Sequence, residues 1–139
     1  MNALDELARF QTDRGLHLKE FNLKASTINM LEEIAELHGD EDSYEQTDRE
    51  FAEEIFEGYF DEDDTETTIE EKVDALADIT VFALGDIMKL GYDPEKVLLE
   101  VSKEINSRVG TFIDGKFMKD KSEEAMKNWY KADFTNCKL

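Results

Sequence analysis

A single proline, Pro94, and seven glycines punctuate a chain of 139 residues. Proline fixes φ and removes a backbone donor, and glycine supplies the conformations that tight turns demand. A chain this poor in both is hard to divide into many short strands, and its fold class is expected to be all-α. Apolar residues recur at the three- and four-residue spacing of helices that bury one stripe. With 40% apolar residues, nine of them Phe, there is material for a hydrophobic core. The length fits one domain over 1–139, with a core at about 26–110 and a C-terminal extension at 111–139.

The pattern places the helices. Leu4, Leu7, Ala8 and Phe10 give a short first helix that ends near Gly15. Ser26 or Thr27 caps a second, which carries Ile28, Leu31, Ile34, Ala35 and Leu37 and stops at Gly39. After an acidic loop at 39–46, a third helix follows Thr47 or Asp48. Its Phe51, Phe56, Tyr59 and Phe60 serve as core or as subunit interface. Beyond a polar connector at 61–67, Thr68 and Glu71 form a capping box for a fourth helix reaching Leu90. That helix is apolar on most sides from Ala75 onward, which predicts the central, most buried element. Asp93-Pro94 opens a fifth helix, which fades near Ser107. Residues 111–118 read as a hairpin turning at Asp114-Gly115, followed by a short helix from Ser122 and an irregular end.

The formal net charge of −19 repels nucleic-acid backbones and argues against a direct DNA- or RNA-binding module. It is compatible with an anionic nucleotide when divalent cations sit between carboxylate and phosphate. One cysteine, Cys137, cannot form an intrachain disulfide. No apolar run approaches the roughly 20 residues that span a bilayer. The first residues lack the basic and apolar regions of a signal peptide, so no membrane association and a cytoplasmic location are expected. Charge is uneven: Asp40 to Asp74 is nearly half acidic with only Arg49 and Lys72 basic, whereas lysines and Arg108 recur from Lys103 onward.

Two acidic sets carry the chemistry. Glu32, Glu33 and Glu36 form E-E-x-x-E on the second helix, where residues three apart stand side by side and can share a cation. Glu71, Asp74 and Asp78 fall on one face of the fourth helix. Asp74 and Asp78 interrupt the apolar run V-D-A-L-A-D-I-T-V-F, and a buried carboxylate without a partner is costly. Facing sets would make an oxygen-rich site of the kind Mg²⁺ prefers. An ordinary solvated face accounts for the glutamates taken alone, and a hydroxyl such as that of Thr80 could satisfy Asp78. His17 and His38 have no partners at metal-ligand spacing and read as surface or capping residues. Walker A, G-x-G-x-x-G and G-x-S-x-G patterns are absent.

On these residues the chain resembles the all-α nucleoside triphosphate pyrophosphatases, a group that includes MazG-like, phosphoribosyl-ATP pyrophosphohydrolase-like and dimeric dUTPase-like proteins. E-E-I-A-E at 32–36 and E-K-V-D at 71–74 match its paired acidic motifs, and D-A-L-A-D at 74–78 resembles the phosphoribosyl-ATP branch. Either Glu71 with Asp74 or Asp74 with Asp78 is the ligand pair in the second motif. E-V-S-K-E-I-N-S-R-V-G at 100–110 and D-G-K at 114–116 are similar to the family's phosphate- and sugar-contacting segments. The resemblance spans about residues 26–120 and implies a four-helix-bundle core in a homodimer or homotetramer. It further implies Mg²⁺, for which Mn²⁺ substitutes, held by Glu33, Glu36, Asp74, Asp78 and Glu71. Glu32 or Glu33 would orient the attacking water, and Asn106, Ser107, Arg108, Lys116 and Lys119 would contact the nucleotide. The implied reaction converts a nucleoside triphosphate, a deoxynucleotide or a non-canonical one included, to its monophosphate and pyrophosphate.

Phosphoribosyl-ATP hydrolysis is the alternative within the same chemistry. A non-catalytic acidic helical binding protein is the alternative outside it, favoured by the acidic stretch at 40–74. A Ca²⁺-binding helical module is disfavoured by the lack of a D-x-D-x-D-G loop. Trp129 and Tyr130 pack the tail or line a base pocket, and Gln11 and Asn29 can hydrogen-bond a base.

Overall fold

Side-chain caps set where the helices begin. The computed structural model describes residues 2–39, 47–60, 66–113 and 116–139, so the expected acidic loop beyond Gly39, most of the connector at 61–67 and the Asp114-Gly115 turn lie outside the described residues. Asn2 accepts from the Asp5 backbone N–H at 2.9 Å and caps α1 (Ala3–Asp13). Gly15, in the left-handed region at φ 65°, then leads into a 3₁₀ turn at Leu16–Leu18. Thr47 caps α3 (Asp48–Tyr59), and Thr68 and Glu71 exchange both bonds of a capping box at the start of α4 (Ile69–Lys89). Asp93 caps α5 (Pro94–Asn106) with proline at its first position, and Ser122 caps the single turn α6 (Glu123–Met126).

The second helix starts earlier than its Ser-Thr pair indicates. α2 runs Leu23–His38, with Asn22 accepting from the Ala25 N–H at 2.9 Å. Thr27 sits inside the first turns, its hydroxyl donating back to the Leu23 carbonyl at 2.8 Å. An asparagine cap is as effective as a serine one, and here it captures one more turn of helix. Strands β1 (Gly110–Ile113) and β2 (Lys116–Lys119) pair as expected of the hairpin.

The chain divides into two compact units. The first comprises Met1–Lys19, Thr67–Thr111 and Met118–Leu139. In it α1 packs on α5, fastened by the Ala3 N–H on the Glu95 carboxylate at 2.7 Å and by the Arg14 guanidinium on the Arg108 carbonyl at 2.7 Å. The C-terminal segment returns along the start of α5: the Asp93 N–H donates to the Cys137 carbonyl at 2.7 Å, and Tyr92 bridges to Lys138. The second unit comprises Glu20–Glu66 and Phe112–Phe117. There α2 and α3 pack around Ile28, Ala52 and Phe56, with Leu31 against them. Phe56 stacks on Phe60 with ring centroids 5.8 Å apart.

The structure is mostly helical, in keeping with the all-α expectation. It departs from expectation at α4, which has no buried residue. Val73 is 60% exposed and Phe82 73%, so the helix predicted to be central is open instead. α4 packs against α5, and much of its apolar surface is exposed among the described residues. Asp74 and Asp78 are exposed with it. In the single chain neither acid pays a burial penalty, so the inference that both need a counterion inside a core does not hold there. No helix among the described residues is long and apolar enough to cross a membrane.

Candidate carboxylate site

The E-E-x-x-E helix carries the most organised acidic chemistry in the structure. Glu32, Glu33 and Glu36 lie in the second half of α2, beyond the turns that bury Ala25 and Ile28 against α3. Burial first, then the charge of Glu36 and a hydrogen bond to it, raise the Glu33 carboxyl above the usual carboxylate range, with Glu32 adding repulsion and Lys116 opposing it. Mutual repulsion thus adds to burial in disfavouring the charged form of Glu33.

Glu32 faces a different environment. Both of its oxygens accept from Lys116 Nζ at 2.9 Å, and Oε2 also meets Arg49 Nη1 at 3.4 Å. Arg49 donates through the same nitrogen to Asn29 Oδ1 at 2.6 Å and through Nε to Glu53 at 3.2 Å. The carboxylate is 19% exposed and clamped between two cations, one from β2 and one from α3. This fixes its orientation and satisfies its lone pairs. Lys116, expected to contact a phosphate, is bound here to a glutamate. Arg49 escaped sequence reasoning although it is one of only two basic residues between Asp40 and Asp74; that isolation was the available signal.

The second acidic set belongs to the other unit. Glu71 closes the capping box of α4, and Asp74 and Asp78, one turn apart, are solvent-exposed. No group of three or more His, Cys, Asp or Glu side chains that could hold a metal ion occurs among the described residues. Carboxylate oxygen is the kind of donor Mg²⁺ takes, and the two acidic sets lie in separate units.

The expected nucleotide contacts are built into the structure of their own unit. Asn106 Nδ2 donates to the Glu6 carbonyl at 3.1 Å, and its Oδ1 accepts from Arg14 at 3.4 Å. Ser107 Oγ donates to the Glu104 carbonyl and accepts from the Tyr130 N–H at 2.8 Å. Arg108 pairs with Glu104 at 3.1 Å and lies 5.1 Å over the Trp129 ring, which Lys119 also approaches at 5.7 Å. Trp129 thus sits with two of the expected phosphate-contacting residues. Separately, an open groove of about 480 Å³ between α2 and α3 is lined by Lys24, Arg49, Glu53 and Glu57 over Ala25 and Ile28. Lys24 of α2 pairs across it with Glu57 of α3 at 3.3 Å, and Arg49 pairs along α3 with Glu53 at 3.2 Å.

No protein-family model, no curated protein and no solved structure matches the chain. Fold and site define a mostly helical, strongly acidic protein with a charge-strained glutamate pair on one helix.

Proposed function

We propose that the chain is a Mg²⁺-dependent nucleoside triphosphate pyrophosphohydrolase with a four-helix-bundle core, acting as a homo-oligomer. The observation that carries the reading is Glu32 of E-E-x-x-E, held by Lys116 and Arg49 on the helix that also carries Glu33 and Glu36. The metal ligands proposed from the sequence motifs are Glu33 and Glu36 of α2 and, with Glu71, Asp74 and Asp78 of α4. Bound there, the metal would offset phosphate charge and lower the pKa of a water.

The chain's own groups do the rest. Glu32, fixed by its two cations, orients the attacking water through an oxygen lone pair. Lys116, already on the acidic face, passes from Glu32 to a phosphate oxygen when nucleotide arrives. Arg108 and Lys119 balance negative charge on the outer phosphates. The substrate is a nucleoside triphosphate, and the products are its monophosphate and pyrophosphate.

Product analysis tests this. Incubation with a panel of nucleoside triphosphates, deoxynucleotides and phosphoribosyl-ATP should give Mg²⁺-dependent pyrophosphate, and Glu36→Gln or Asp78→Asn should reduce it by about a hundredfold or more with helical circular dichroism intact. Release of orthophosphate, or full activity in both variants, overturns the assignment. Absence of saturable Mg²⁺ heat in calorimetry favours the non-catalytic binding protein.

A further inference from the structure

Two cations hold Glu32, and they hold it differently. Lys116 Nζ takes both carboxylate oxygens at 2.9 Å, whereas Arg49 Nη1 reaches Oε2 alone, at 3.4 Å. Among the described residues Lys116 Nζ hydrogen-bonds nothing but Glu32. Arg49 is held twice more, by Asn29 Oδ1 of α2 at 2.6 Å and by Glu53 of α3 at 3.2 Å. All five side chains belong to the second unit.

Losing one cation is therefore not the same as losing the other. Without Arg49 the ammonium still covers both oxygens. Without Lys116, Oε1 is freed, while Oε2 stays beside a guanidinium that two other groups keep in place. A carboxylate fixed through one oxygen presents the other in a defined direction, which one covered on both oxygens cannot do.

Local helix chemistry does not account for Arg49. It is the second residue of α3, at the positive end of the helix, where a cation is disfavoured and its neighbours Asp48 and Glu50 fit. Its pairing with Glu53 four residues on runs in the weaker order, base before acid. A side chain that contradicts local preference yet is fastened to three partners points to the contact it makes with the neighbouring helix.

We propose that Arg49 is a positioning residue for Glu32: anchored by Asn29 and Glu53, it retains Oε2 when Lys116 departs, and Oε1 is left to orient the attacking water. This rests on the hydrolysis proposed above and deepens it by giving the two oxygens of Glu32 separate tasks. Asn29 then acts through Arg49.

The full chain is followed by pyrophosphate release and, without nucleotide or metal, by the ¹⁵N signals of the Arg49 guanidinium. Lys116→Gln imitates departure of the ammonium and should leave those signals in place, whereas Asn29→Ala should shift and average them. Arg49→Gln should lower kcat about tenfold with KM held within about twofold. Arg49→Lys returns the charge without the guanidinium fork and should recover little of the loss. In a Glu32→Gln background Arg49→Gln should cost nothing further, because it acts through that carboxylate. If Arg49→Gln does not fold, Asn29→Ala carries the same test, with a severalfold loss of kcat expected. Arg49 signals lost in Lys116→Gln, a raised KM with kcat intact, full rescue by lysine or additive losses in the double variant each overturn the role. Pyrophosphate release with unchanged kcat in a folded Arg49→Gln chain overturns the positioning role alone. A wild-type chain that releases none overturns the hydrolysis and the role with it.

Discussion

At the scale of single residues, Glu100, outside both acidic motifs, is as fully bonded as Glu32. It accepts from Lys103 Nζ at 2.7 Å, from the Tyr130 hydroxyl at 2.5 Å and from the Asp133 N–H at 3.0 Å. These hydrogen bonds, Lys103 first, hold its carboxyl down at about 2 from an ordinary 4.5. A group whose pKa falls on folding stabilises the fold above its unfolded value, and that contribution disappears as pH drops through the folded one. The attachment of the tail to α5 should therefore be intact at pH 5 and weaken between about 4.5 and 2. Trp129 fluorescence should report the release, and Glu100→Gln should show the loosened signal already at pH 7. Only one of these contacts was legible in the sequence, the Glu100–Lys103 pair three residues apart on one helix. Tyr130 and Asp133 lie about thirty residues away, and no local pattern ties them to Glu100. The Glu32–Lys116 pair, 84 residues apart, is hidden for the same reason.

Among elements, sequence reading succeeded where the determinants are local. The caps at Thr47, Thr68 and Asp93, the glycine stops at Gly39 and Gly91 and the hairpin strands are set by residues within one turn of each other. It erred by one turn at α2 because Asn22 and Ser26 are comparable caps, and it is Asn22 that accepts from the Ala25 N–H. The hairpin shows a constraint that no propensity scale contains. A Cβ on Gly110 would stand 2.0 Å from the Met118 carbonyl oxygen, in backbone that cannot yield without unpairing the strands. Gly110→Ala should cost on the order of 1–3 kcal/mol and displace Lys116 from Glu32. Urea denaturation and the Lys116 ammonium shift in NMR would check both, and an unperturbed variant would refute the close approach.

For the molecule as a whole, α4 decides how much of the sequence reading stands. Its periodicity gave the length and cap correctly, but an apolar helix signals only that cover is needed, not which chain provides it. Exposed Ile79, Val81, Phe82 and Met88 exceed the scattered apolar residues of an ordinary monomer surface. A second copy of the chain would bury them, and it would have to do so against mutual repulsion between bodies of charge −19. These two forces have opposite salt dependence. Screening at a Debye length of about 8 Å near physiological ionic strength removes much of the repulsion, while apolar burial is unharmed or strengthened. Association should therefore tighten as salt rises, the reverse of an assembly held by opposite charges. Phe82→Glu should shift the mass measured by light scattering toward the monomer at every salt concentration and leave the helical signal unchanged. If the same variant also abolishes pyrophosphate release without touching any acidic side chain, the aspartates of α4 act only in the assembled protein. If the monomer stays active, the carboxylate sites belong to one chain and α4 is an interface alone.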